Sequence, residues 1–127
     1  MPKLWSAVPC FAVADFAATM RWYETELGFS GDPFPDAEPF LFAIVRRDEV
    51  EIMLQRVEDY QKPDLYRLRS VGVWDTYLRV EGVKELYESL RDKLEVKTPL
   101  RKQPYGQWEF EVKDPNGYIL VFSELIE

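Results

Sequence analysis

The sequence contains no histidine. That removes the commonest biological metal ligand and the commonest acid–base side chain together. Cysteine occurs once, at Cys10, so no disulfide can form within the chain. Cys10 lies in an apolar segment with no histidine to activate it, and is expected to be a buried filler rather than a nucleophile. No apolar run approaches the ~18 residues of a membrane span, and the first residues, MPKLWSAVPC, lack the apolar core of a signal peptide. A cytoplasmic, membrane-free protein is expected. Basic residues are outnumbered, 16 Lys and Arg against 23 Asp and Glu, for a formal charge of −7. An acidic surface repels phosphate backbones, which argues against nucleic acid as a partner and favours cationic small molecules.

Aromatic residues are plentiful, at 15%. A strand is expected over Trp5–Val13, then a helix capped by Asp15 whose inward stripe is Phe16, Met20, Tyr23 and Leu27, ended by Gly28. Residues 31–39 carry three prolines, three acids and Phe34 and cannot be regular throughout. Strands are expected over Phe40–Arg46 and Val50–Arg56. Residues 57–73, with Pro63, read as a linker that has a short helical turn at Asp64–Arg69. A second strand, Trp74–Val80, leads through Gly82 into a helix, Val83–Leu94, with Val83, Leu86, Leu90 and Leu94 inward. An edge strand over Pro99–Gln103 is followed by a hairpin, Trp108–Val112 with Tyr118–Leu125, around Asp114-Pro115-Asn116-Gly117, where proline and Asn-Gly suit a tight turn.

The two halves repeat. A shift of about 67 carries Val13, Phe16 and Tyr23 onto Val80, Val83 and Leu90. Two copies of a supersecondary unit indicate a duplicated module, since a solenoid needs three or more. The expected fold is α+β, two βαβββ modules with mixed, curved sheets and outer helices. It forms one domain over residues 1–127, with module one at about 1–56, the linker at about 57–73 and module two at about 74–127.

Two such modules, a helix ending in Leu27-Gly28-Phe29 and the turn at Asp114–Gly117 resemble the vicinal oxygen chelate superfamily of glyoxalases, extradiol dioxygenases, and fosfomycin and bleomycin resistance proteins. Within it, KLWSAVP (Lys3–Pro9), VEGVKELY (Val80–Tyr87) and QPYGQWEFEVKDPNG (Gln103–Gly117) are similar to the bleomycin resistance proteins. That resemblance implies a metal-independent homodimer that sequesters a cationic, aromatic antibiotic without altering it. It also implies that Pro9 directs an exchanged N-terminal arm.

Metal-dependent members of the superfamily would place ligands at Val8, Asp75, Val121 and Glu51 or Gln55. Two valines cannot ligate, so no metal and no other cofactor is expected. The ligand-binding residues expected are Tyr105 and Tyr77, matching aromatic positions of the resembling proteins, with Trp108, Phe34 and Phe40 as further aromatic faces. Asp32, Asp36 and Glu38 would meet cationic groups. Glu109 and Glu111 share one strand face but read as exposed acids, and Trp22 and Trp74 as packing or dimer contacts. The alternative is a metal-dependent lyase, isomerase or dioxygenase of the same fold acting on a small metabolite. A third possibility is a regulatory domain with another ligand.

Overall fold

The computed structural model describes residues 1–70 and 72–127; Val71, within the expected linker, lies outside the described residues. The chain divides into two units, Met1–Gln61 and Lys62–Glu127. Each is a four-stranded sheet with one helix packed on it.

In the first unit, β1 (Cys10–Val13) leads into α1 (Phe16–Leu27), followed by β2 (Ser30–Phe34), β3 (Phe42–Arg47) and β4 (Val50–Arg56). The sheet order is β1-β4-β3-β2, with β1 parallel to β4 and the other pairs antiparallel. Asp15 starts α1 by accepting a hydrogen bond from the Ala18 N–H, at 3.3 Å. Gly28 stops it at φ 69°, a left-handed conformation that a side chain would strain. The helix buries Phe16, Tyr23 and Leu27. These pack towards the face of the sheet that carries the buried Ala43, Val45, Ile52 and Leu54.

The second unit repeats the order: β5 (Thr76–Arg79), α2 (Val83–Leu90), β6 (Glu95–Lys102), β7 (Gln107–Lys113) and β8 (Ile119–Leu125), in the sheet β5-β8-β7-β6. Again the first strand is parallel to the last. Phe110 stacks on Phe122 and meets Tyr87 of α2 edge-on, which marks the helix-covered face. The 114–117 turn is built as its residues demand. Asp114 Oδ1 accepts from the N–H groups of Asn116 and Tyr118, at 2.8 and 2.9 Å, and Gly117 sits at φ 95°.

Several boundaries differ from expectation. The first strand begins only at Cys10, because residues before it find no ladder partner beyond the Pro9 carbonyl, which accepts from Met53 N. Trp5 is 90% exposed there. Cys10 is exposed rather than a buried filler, since it points away from α1 while Phe11 and Val13 point towards it. The second helix closes at Leu90, although Leu94 N still donates to Leu90 O through one further turn. The strand expected at 99–103 runs from Glu95 to Lys102, and a helical turn over Leu65–Arg67 follows Asp64.

Candidate acidic and aromatic site on the second sheet

The face of the second sheet opposite α2 carries Glu109 and Glu111, both on β7 and two residues apart. Alternation sends Trp108, Phe110 and Val112 towards the helix and the glutamates away from it. They were expected to be exposed; they are 2% and 5% exposed. Both neighbours of β7 are in place, β6 on one side and β8 on the other, and aromatic side chains close over the remaining face.

Every one of the four carboxyl oxygens accepts a hydrogen bond from an aromatic side chain. For Glu109, Tyr105 OH donates to Oε1 at 2.6 Å and Tyr77 OH donates to Oε2 through a short contact. For Glu111, Tyr66 OH donates to Oε1, also through a short contact, and the Trp74 indole N–H donates to Oε2 at 3.2 Å. The tyrosines hold their protons firmly: burial, and next the hydrogen bond to glutamate, push the hydroxyls of Tyr66, Tyr77 and Tyr105 above the usual tyrosine range.

All four donors are neutral. Among the described residues no lysine or arginine nitrogen lies within 4.0 Å of either carboxyl, although Arg101 stands opposite Glu109 in the register. Two buried acids therefore lie side by side with hydrogen bonds but no counter-charge. Tyr105, 58% exposed in the turn between β6 and β7, forms the outer wall over Glu109.

Tyr77 and Tyr105 are thus brought together on one carboxyl. Trp108 is not brought to them. Its ring lies on the helix side, 4.5 Å beneath the Lys84 ammonium of α2. Tyr66 and Trp74 escaped the sequence reading. Tyr66 lies in the stretch that reads as a linker, and Trp74 reads as packing or a dimer contact.

The remaining expected residues belong to the first unit. Phe34 stacks on Phe42, with centroids 5.5 Å apart, on the helix-free face of that sheet. Asp32 there pairs with Arg46 at 3.5 Å, and Arg46 in turn with Glu51 at 2.6 Å. Phe40 and Glu38 line an open cleft of about 740 Å³ at the start of α1, with Phe16, Arg56 and Glu58. Asp36 is exposed in the intervening loop.

The superfamily ligand positions do not fit a metal. Val8 and Val121 have no donor atoms. Asp75 Oδ2 accepts from Ile119 N at 2.8 Å and pairs with Lys62 at 3.1 Å, while Glu51 is engaged by Arg46. Among the described residues no group of three or more Cys, Asp or Glu is placed to hold a metal ion. No helix among them is long and apolar enough to cross a membrane.

No curated protein matches the sequence. Solved structures do. The chain is similar to a bleomycin-binding protein from bleomycin-producing Streptomyces verticillus, solved with copper(II)-bleomycin: identity is 24%, coverage 96% of this chain and 97% of that one, and TM-score 0.70. TioX from Micromonospora sp. ML1 is 17% identical, with 95% and 100% covered and a TM-score of 0.70. A glyoxalase-related enzyme from Clostridium phytofermentans is 18% identical, with 98% of each chain covered and a TM-score of 0.72. At such identities these likenesses establish the fold. Residues 7–122 match the profile of the Glyoxalase/Bleomycin resistance protein/Dioxygenase superfamily, and with two βαβββ units behind that match the chain belongs to this superfamily.

Proposed function

We propose that this protein binds a cationic, aromatic small molecule on the Glu109–Glu111 face and holds it without chemical change. The observation that carries this reading is the pair of buried carboxyls with neutral donors only. An isolated buried charge is costly unless paired, and a ligand cation supplies the missing partner. Tyrosine and tryptophan rings around the pair favour a planar cation, each face-on contact contributing about 0.5–2 kcal/mol. The acidic net charge of −7 steers such a ligand towards the protein.

The named candidate is a bleomycin-type antibiotic, supported by superfamily membership and by the likeness to a bleomycin-binding protein. The assembly proposed is a cytoplasmic homodimer. Supporting it are the exposed Leu4 and Trp5 ahead of β1, with Pro9 at the junction, and the half-exposed apolar face of the first sheet at Phe42, Ile44 and Met53. Capture would be stoichiometric, one ligand per chain.

Isothermal titration with bleomycin at low and moderate salt tests this. Saturable submicromolar binding near one ligand per chain, weaker in salt and with the drug recovered unchanged, is the expected result. No heat for bleomycin, together with no binding of simpler aromatic cations, overturns the cation reading as a whole.

A further inference from the structure

Resting on that reading of the glutamate pair, we propose that a small lysine-lined pocket beside Glu111 receives an anionic oxygen group while the carboxyls hold the cation. The ligand class is then zwitterionic. Strand β7 sets Glu109, Glu111 and Lys113 on one face at two-residue steps, about 7 Å each. Next to Glu111 lies a pocket of about 190 Å³ lined by Lys62, Tyr66, Lys97, Lys113, Asn116 and Gly117. Tyr66 joins the two places: its hydroxyl donates to Glu111, and its ring lies 5.1 Å from the Lys97 ammonium.

The three ammonium groups are not equivalent. Lys62 has a side chain only 7% exposed and is held by Asp75 at 3.1 Å and by the Pro63 carbonyl at 3.1 Å, so it serves as a fixed wall. Lys113 faces Glu95 at 3.8 Å, a loose pair. Lys97 has no carboxyl within 4.0 Å among the described residues. Asp64, the acid at the rim, already lends its Oδ1 to the Tyr66 N–H at 3.0 Å. Lys97 and Lys113 are the cations left to meet an anion. A volume of about 190 Å³ leaves room for a carboxylate, sulfate or phosphate group.

The test compares 4-(aminomethyl)benzoate, whose amine and carboxylate are held apart by a ring, with benzylamine, which lacks the carboxylate. Each is titrated into the protein and into Lys97→Gln/Lys113→Gln, whose surface changes keep the side-chain stems. Inorganic phosphate is titrated separately while the Gly117 amide resonance is followed. The expected result is a preference of at least about tenfold for the zwitterion, the size of one hydrogen bond to a charged group, falling to within twofold in the variant. Phosphate should shift Gly117 in the native protein and not in the variant. Equal affinities without phosphate, with benzylamine binding strengthened by phosphate, would mean that the anion arrives free, and would overturn the zwitterion. A preference that survives in the variant, or no phosphate shift and no preference, overturns the pocket while leaving the cation reading. Failure of both amines to bind while phosphate still shifts Gly117 overturns the cation reading and leaves the pocket.

Discussion

The two sheets have the same strand order and each carries a single helix, yet their helix-free faces differ in kind. On the first, β2, β3 and β4 present Phe34, Phe42, Ile44 and Met53, with charge confined to the triad of Arg46, Asp32 and Glu51. On the second, two acids lie buried under aromatic hydroxyls and an indole, with no lysine or arginine nitrogen within 4.0 Å of them among the described residues. A scaffold repeated within one chain has kept its packing on one face and diverged on the other. The packing face is constrained by the helix it must cover. The open face is free to differ, and the second copy has used that freedom to gather unbalanced charge.

Replacing both acids, Glu109→Gln with Glu111→Gln, breaks the contrast most completely. Affinity for an aromatic cation is expected to fall about 100-fold, from two charge-assisted contacts at about 1.5 kcal/mol each. The matching pair on the first sheet, Asp32→Asn with Glu51→Gln, should change it less than about twofold. Calorimetric titration of the two double variants decides the matter, and equal losses would end the distinction between the faces.

Helix capping separates the units at a smaller scale. Asp15→Ala removes a local cap, and Glu124→Ala removes the carboxyl oxygen that accepts from Gly82 N at 3.1 Å and Val83 N at 3.0 Å. Each is expected to lower unfolding free energy by about 1 kcal/mol, read by urea denaturation. Glu124→Gln, which keeps an acceptor oxygen, should recover part of its loss. The tyrosines of the second face give a pH signature. Their pKa values are raised on folding, so unfolded tyrosine ionises first. Stability is unaffected below pH ~10 and falls as pH rises beyond it, because the unfolded chain then binds fewer protons. Tyr66→Phe and Tyr77→Phe should flatten that alkaline decline. Tyr105→Ala, which removes an exposed ring and its hydrogen bond to Glu109, should weaken aromatic cations only about fivefold, by about 1 kcal/mol, and lower thermal stability by a few degrees.

Much of the fold was legible because its determinants are local. Asp15 and Gly28 bracket α1, and Asp114–Gly117 spells its own turn. The site was less so. Tyr77 and Tyr105 are candidates through resemblance, whereas Glu109 and Glu111 read as ordinary solvated acids. Alternation reveals that two residues share a face; it does not reveal whether that face is covered. The cover comes from Tyr66 and Trp74, 45 and 37 residues distant from Glu111 along the chain, and no periodicity connects such positions. Trp108 shows the converse error. It is expected as a further aromatic face beside Tyr105 and Tyr77, and strand alternation sends it to the helix side.

The cap on α2 also sets an order of events. The first helix carries Asp15 at its own start, so its cap is present as soon as its residues leave the ribosome. The second begins at Gly82, which has no side chain to offer, and waits for a carboxyl supplied 41 residues after Val83. At translation speeds of ~5–20 residues per second, that helix remains without its cap for seconds after it emerges. During that interval the newborn second half has an open helix end and the first half does not.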